Sequence, residues 1–246
     1  DLGFSLEAKT AAPLKRMLKL LAEVPQSRLF DEMLKLLQTG HALASVSQLK
    51  LLGLQKGIYP LLDVVVARSD EEFVKTALQD TDRRVGEGKP VAPSFLLACV
   101  LWSDVRESWN AKRLKQPPFP ALQDAIDEVF DSRIGDVSGR GKLGADMRDI
   151  WLMQPRFEKR VGSGPWTLVD HVRFRAGFDF MRLRADVGEV DELLADWWQE
   201  FSLADDATRE DLLQQAKTVA PQESAPKKRR RRRKPAGGAE RAPDAE

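Results

Sequence analysis

The stretch WTLVDHVRFRAGFDFMRLRAD, from Trp166 to Asp186, decides the fold that this sequence predicts. Placed on a helix at about 100° per residue, its apolar side chains fall into two rows on nearly opposite sides. The first row holds Phe174, Phe178, Met181 and Ala185, and the second holds Val172, Phe180, Leu183 and Val187. A helix that is apolar on two sides packs inside a bundle of other helices. The stretch therefore predicts an all-α protein.

Arginines lie in the seams between the two apolar rows. One seam holds Arg173 and Arg184, and the other holds Arg175 and Arg182. Because an arginine stem can cover apolar surface while its guanidinium group stays in water, the seams are expected at the edges of the bundle, facing something anionic. The alternative is that these arginines pair with carboxylates of the bundle, such as Asp179 and Asp186.

The rest of the chain also shows helical spacing. Two helices separated by Pro25 are predicted over residues 10–40, with Ser27 capping the second. Ser69 and Glu72 have the spacing of a capping box at the start of another helix. Further helices are predicted over 43–54, 58–66, 69–84, 93–112, 121–134, around 147–153, and over 190–201 and 207–217. No series of alternating strands with turn signals appears, so the predicted fold class is an all-α multi-helix bundle.

The net charge of +1 hides an uneven distribution. Residues 216–246 hold ten Lys or Arg against four Asp or Glu, a balance of +6, whereas the other residues hold 29 against 34, a balance of −5. Blocks of like charge repel themselves and stay disordered, so a disordered basic tail is predicted after an acidic body. The only cysteine, Cys99, lies in the apolar run FLLACVLW and is expected to be a buried thiol, which suits a reducing cytosol.

The sequence offers little sign of a catalytic or metal centre. The glycine-rich segment from Gly135 to Gly144 lacks the Walker spacing, which favours a flexible basic loop. His41 and His171 are the only histidines, and neither has a second metal ligand or a nucleophile at a useful spacing. The run KKRRRRRK would neutralise phosphates of a nucleic acid, but it would also suit a nuclear address or an anionic membrane. The six tryptophans could stack on bases, although packing in the core is favoured.

Several motifs together resemble a known family. RLFDEMLKLL, with Arg28, Glu32 and Lys35, is similar to the neck-helix motif of the nucleotidyltransferases that comprise bacterial poly(A) polymerases and CCA-adding tRNA nucleotidyltransferases. The segments RDIW at 148–151, HVRFRAGFDFMRLRA at 171–185 and WWQEF at 197–201, followed by an arginine-rich tail, resemble the poly(A) polymerase branch. The likeness extends over most of the chain.

The resemblance implies an enzyme that adds AMP from ATP to RNA 3′ ends in the cytoplasm. Neck helices are then expected at 1–60, a helical body and RNA-binding leg at 61–215, and a disordered tail at 216–246, with Arg28 tying the neck to a catalytic head. The Gly-Ser turn and the Asp-x-Asp carboxylates of that head are missing from this sequence, so no catalytic residue is assigned. ATP and Mg²⁺ would then bind outside this chain, and the chain alone is expected to be inactive. The alternatives are a CCA-adding enzyme and a non-enzymatic helical adaptor with a basic arm.

RNA, bound at single-stranded 3′ ends, is the expected partner, together with proteins of RNA turnover, and no membrane is expected. The predicted phosphate contacts are Arg140, Lys142, Arg173, Arg175, Arg182 and Arg184, and, in the tail, Lys227, Lys228, Arg229, Arg230, Arg231, Arg232, Arg233 and Lys234.

Overall fold

The structure is a computed structural model, and it describes residues 5–53, 57–134 and 141–219. Within those ranges it contains fourteen α-helices and no strand, which confirms the predicted all-α bundle. A 3-10 segment, Leu18–Glu23, follows α2, and a π segment, Phe130–Ile134, follows α9. The helices are α1 (Ala8–Ala11), α2 (Leu14–Met17), α3 (Gln26–Leu37), α4 (Ala42–Leu52), α5 (Pro60–Arg68), α6 (Glu72–Gly86), α7 (Pro93–Val100), α8 (Trp102–Lys112), α9 (Pro118–Val129), α10 (Gly141–Phe157), α11 (Gly164–Val169), α12 (Phe174–Asp186), α13 (Glu192–Leu203) and α14 (Asp206–Val219).

The helix α12 lies between two hydrophobic cores, as its two apolar rows predict. Phe180 and Leu183 pack into the larger core, which α3 to α10 build. The opposite row packs into a smaller core built by the end of α10 and by α11 to α14. The members of that opposite row are Phe174, Phe178, Met181 and Ala185. Two helices, α10 and α12, therefore contribute to both cores and hold the two halves of the described chain together.

The stretch that predicts α12 is not a single helix. It is divided into α11 and α12 by a turn at residues 170–173, where the Nδ1 atom of His171 accepts a hydrogen bond of 3.1 Å from the backbone N–H of Arg173. Val172 is 87% exposed in this turn, so its predicted place in the second apolar row is wrong. The break occurs because a side chain satisfies a backbone donor that a continuous helix would have bonded internally.

Other predicted boundaries also change. The helix predicted over 93–112 is divided at Leu101 into the almost fully buried α7 and the half-exposed α8. Ser27 is not a cap, because α3 begins at Gln26 after Pro25. Ser69 is not the N-cap of α6, which is Glu71; it is the C-cap of α5, where its buried hydroxyl donates to the backbone oxygen of Val66 at 2.8 Å.

The division into neck, body and tail remains a prediction. Residues assigned to the neck, such as Phe30 and Leu37, share the larger core with residues assigned to the body. The start of α4 is tied to α6 as well, because Asp82 accepts the N–H groups of Ala42 at 2.6 Å and Leu43 at 3.2 Å. The tail at 216–246 lies almost wholly outside the described residues.

The helices α10 and α12 approach closely at Gly177. A Cβ atom built on Gly177 would lie 2.5 Å from the Sδ atom of Met153 and 3.4 Å from its Cβ atom. At Gly144, on the same helix as Met153, the nearest atom to such a Cβ is the Phe130 Cζ atom at 3.9 Å, an ordinary contact. A side chain at 177 would therefore force the buried Met153 side chain to shift, whereas a side chain at 144 would not displace its neighbour.

Substituting alanine at these two glycines is expected to change stability in opposite directions. Gly144→Ala gains helix propensity and should raise the free energy of unfolding by up to about 1 kcal/mol. Gly177→Ala makes the same gain but overpacks the contact with Met153, which costs roughly 1–3 kcal/mol, so it should be destabilising overall. Urea unfolding followed by circular dichroism measures both, and a Gly177→Ala variant as stable as Gly144→Ala would contradict the close packing.

Candidate nucleic-acid interface

The arginines of α12 do not share one environment. Arg175 and Arg182 lie on the same seam, as predicted, since the guanidinium carbon of each is 5.9 Å from the centroid of the Phe178 ring. Arg182 pairs with the exposed Asp196 at 2.8 Å. The seam of Arg175 and Arg182 therefore reaches the edge of the bundle.

Arg184 lies inside the bundle, so its predicted position on an accessible seam is wrong. Only 8% of the residue is exposed, and its guanidinium carbon lies 4.9 Å from the centroid of the Trp102 ring. Its Nε atom is 3.2 Å from a carboxylate oxygen of Glu189, and its Nη1 atom donates to the side-chain oxygen of Gln154, also at 3.2 Å. Burial lowers the pKa of Arg184, and the charge of Glu189 only partly offsets this. Arg184 is thus a structural residue.

Arg173 pairs with a carboxylate on the neighbouring helix. Its Nη2 atom lies 2.5 Å from Asp146 on α10, and its side chain is 31% exposed. Asp146 lies one turn after Lys142, which is exposed. Both residues line a pocket of about 480 Å³, together with Ala92, Pro93 and Ser94 at the start of α7. The beginnings of α7 and α10 and the first residues of α12 therefore meet at one place.

Two arginines share one buried carboxylate further along α12. Asp179 is 8% exposed, and it lies 2.9 Å from Arg175 and 3.0 Å from Arg84, at the end of α6. Burial lowers the pKa of Arg84, but hydrogen bonds and charges from Asp179 and Asp80 outweigh it, so the pKa is raised overall. The side chain of Arg175 remains 71% exposed. Sequence analysis missed Arg84, because nothing in the sequence connects it with Asp179.

We give the name basic face to four cations around the start of α12: Lys142 and Arg173, which lie beside Asp146, and Arg84 and Arg175, which lie beside Asp179. Its four cations face the carboxylates of Asp146, Asp179 and Asp80, so formal charges leave a small positive excess. Helix N-termini add partial positive charge, and those of α7, α10 and α12 are all close to this surface. Backbone N–H groups and arginines are the donors that phosphate oxygens accept.

Other predicted contacts lie outside the described part of the chain. Arg140 falls in residues 135–140 and the run from Lys227 to Lys234 falls after residue 219, and the structure describes neither range. The predicted basic loop at 135–144 is partly wrong, because residues 141–144 form the first turn of α10 rather than a loop.

The neck motif places its charged residues on one exposed side of α3. Glu32 pairs with Lys35 at 2.8 Å. Arg28 is also exposed. Phe30, Met33 and Leu37 face the larger core from the other side.

Most tryptophans pack in the cores, as predicted. Trp102, Trp109, Trp151 and Trp198 are buried. Trp166 and Trp197 are half-buried, and guanidinium groups of Arg209 and Arg160 lie over their rings at 5.4 and 5.9 Å. Cys99 is a buried free thiol, as predicted, and burial raises its pKa well above the ordinary value. Among the helices described, none combines the length and apolar character needed to cross a bilayer.

Comparison with known families agrees with the resemblance read from the motifs. A family profile described as "Polymerase A arginine-rich C-terminus" matches residues 114–235. A second, described as "Probable RNA and SrmB-binding site of polymerase A", matches residues 3–66. This chain belongs to the poly(A) polymerase family. The first profile contains all four predicted arginines of the α12 region, and the second contains the neck motif.

Individual poly(A) polymerases match most of the chain. Poly(A) polymerase I of Haemophilus influenzae is 34% identical over 231 residues, which is 90% of this chain and 50% of the relative. Poly(A) polymerase I of Salmonella typhi is 33% identical over 81% of this chain and 45% of its own length. That of Escherichia coli O6:H1 is 32% identical over 82% and 45%, respectively. The chain spans about half the length of the relatives that it matches.

Proposed function

We propose that this chain is the RNA-binding part of a polynucleotide adenylyltransferase, which adds AMP from ATP to RNA 3′ ends. The observation that carries the proposal is the pair of profile matches, one of them described as a probable RNA-binding site, on a chain that presents a basic face. The relatives reported are poly(A) polymerases, which favours this activity over CCA addition. We propose that ATP and Mg²⁺ bind outside this chain and that the chain alone is inactive.

Three residues of the basic face are proposed as phosphate contacts: Lys142, Arg173 and Arg175. Arg175 has the most exposed side chain of the three arginines in the basic face, and Lys142 has no ion pair among the described residues. About a third of the Arg173 side chain faces solvent, so its guanidinium group can bind a phosphate while it stays close to Asp146. Arg182 is kept as a peripheral contact. Arg184 is excluded from the proposal by its burial.

A protein partner is proposed for the neck. The profile that matches residues 3–66 names SrmB besides RNA, so it supports a protein partner in addition to RNA. The exposed side of α3, with Arg28 and the pair of Glu32 and Lys35, is the surface we propose for it. We also propose a cytoplasmic location, which suits the unpaired thiol of Cys99.

Removing two charges from the basic face is expected to weaken RNA binding and to reduce its dependence on salt. The Lys142→Ala, Arg175→Ala double variant loses up to two phosphate contacts, so the slope of log Kobs against log salt should become shallower by about 1.4, at about 0.7 per contact. Asp179 keeps Arg84 as its partner, so the fold should survive. Filter binding of a short single-stranded RNA across a salt series measures this.

The matched control removes two charges elsewhere. Lys75 on α6 and Lys112 on α8 lie outside both profile matches and outside the basic face. Lys75→Ala with Lys112→Ala should leave the slope nearly unchanged. If the salt slope changes equally in both double variants, only the overall charge of the protein matters. If the wild-type protein fails to bind RNA at low salt, the proposed function is overturned.

A further inference from the structure

A second pocket, of about 320 Å³, lies between α9, α10 and the turn that joins α11 to α12. It is separate from the pocket on the basic face, and its volume is within the range of sites that hold small organic ligands. Its lining residues are Phe119, Asp149, Leu152, Met153, Arg156 and His171. None of the resemblances or profiles assigns a role to this pocket.

The polar groups of the pocket have hydrogen-bonding capacity to spare. The Nδ1 atom of His171 accepts from the N–H of Arg173, so the neutral imidazole carries its proton on Nε2 and can donate it. Asp149 and Arg156 form no ion pair with any described residue. The pocket therefore offers a donor, an acceptor and a cation that the described part of the protein does not use.

The apolar lining suits a flat ring. On α10, Leu152 is partly buried and Met153 is buried. Phe119, at the start of α9, is 48% exposed. A half-exposed aromatic face is the kind of surface on which an unpaired base stacks. An aromatic face, edge hydrogen-bonding groups and a cation together match the base and phosphate of one nucleotide.

The helix α10 connects this pocket with the basic face. Lys142, Asp146, Asp149, Met153 and Arg156 recur at steps of four, three, four and three residues, so they form one stripe along the helix. From Lys142 to Arg156 the stripe is about 21 Å long, at 1.5 Å per residue. The turn at His171 and Arg173 runs beside it, since Arg173 pairs with Asp146 and His171 lines the pocket with Asp149. A strand held by Lys142 and Arg173 can follow the solvent-facing residues of this stripe to the pocket, where the buried Met153 forms part of the wall.

We infer that the pocket holds one unstacked base of the bound RNA strand. Phe119 stacks on the base, Asp149 and His171 bond its edge, and Arg156 pairs with its phosphate. The inference rests on the proposed RNA binding and adds to it a contact with a base, because the basic face contacts only phosphates. It assigns binding residues to α9 and to the second half of α10, where the sequence motifs gave none.

Removing the aromatic face is expected to lower RNA affinity about tenfold, because stacking on one aromatic residue is typically lost on this scale. The full chain would be titrated with a short oligoadenylate that contains one 2-aminopurine, whose fluorescence reports stacking. Phe119→Leu should bind about tenfold more weakly with a smaller fluorescence change, and Phe119→Tyr should behave as wild type. Leu114→Ala, which changes another exposed apolar side chain outside the pocket, is the matched control. Thermal melting checks that the variants are folded.

Inorganic polyphosphate separates the pocket from the basic face, because it has phosphates and no bases. Phe119→Leu should bind polyphosphate as wild type does, whereas the Lys142→Ala, Arg175→Ala variant should bind both polymers more weakly. If Phe119→Leu binds RNA with wild-type affinity while the basic-face variant is impaired, the pocket proposal is overturned and RNA binding stands.

Discussion

Replacing Arg184 with alanine is expected to lower the free energy of unfolding by about 3 kcal/mol, because removing one partner of a buried ion pair strands the other. The group left behind is Glu189, whose side chain is 12% exposed and whose one remaining ion-pair partner among the described residues would be Arg106. Glu189 would keep hydrogen bonds from Trp102, at 2.9 Å, and from Arg106, which places the cost at the lower end of the usual range. Gln154 would lose its bond to Arg184 as well.

The effect is large because this network joins distant parts of the chain. Trp102 and Arg106 belong to α8, Arg184 to the end of α12, and Glu189 to the turn that follows it. The guanidinium group of Arg184 also covers the Trp102 ring at 4.9 Å, and that contact would be lost with the side chain. The network lies beside the larger core. Its loss should therefore lower the free energy of unfolding of the whole helical bundle.

Arg182 provides a matched control on the same helix. It is an arginine with one carboxylate partner, Asp196, but that partner is 58% exposed. Exposed pairs contribute roughly 0–1 kcal/mol, so Arg182→Ala should hardly change stability. Urea unfolding of both variants tests the difference, and equal destabilisation by Arg182→Ala and Arg184→Ala would show that the burial of Arg184 has been misjudged.

The two-sided pattern of α12 could be predicted from sequence because it depends on helical spacing alone. Phe180 and Phe178 enter different cores, as their angular positions require. The depth of Arg184 could not be predicted in this way, since it depends on Trp102 and Glu189, which helical spacing does not relate to it.

The turn at His171, which separates α11 from α12, could not be predicted from the sequence for a related reason. No glycine or proline marks the turn, and the hydrogen bond that stabilises it comes from an imidazole that looks unremarkable in the sequence. The basic face and the second pocket likewise each depend on residues from separate elements of the structure, such as Arg84 with Asp179 and Phe119 with His171. The periodicity of one helix contains no information about contacts between residues of different helices and turns.

The largest expected effect on RNA binding comes from the run Lys227 to Lys234, which we propose as a tether. If all eight cations contact phosphates, they contribute a salt slope of about 5.6, at about 0.7 per contact. A fourfold rise in salt then weakens this contribution by about 2,000-fold, which is 4 raised to the power 5.6. Replacing the eight residues by serine at unchanged length should remove most of that dependence and much of the affinity at low salt.

The tail and the basic face should differ in how they respond to RNA structure. A run of adjacent cations neutralises any polyanion, so the serine variant should lose affinity for RNA and polyphosphate by the same factor. The basic face and the base pocket are fixed on helices, so the serine variant should retain the tenfold sensitivity to Phe119→Leu. Filter binding across a salt series measures the slope for each polymer. An unchanged slope in the serine variant would assign the phosphate contacts to the helical body and remove the tether from the proposal.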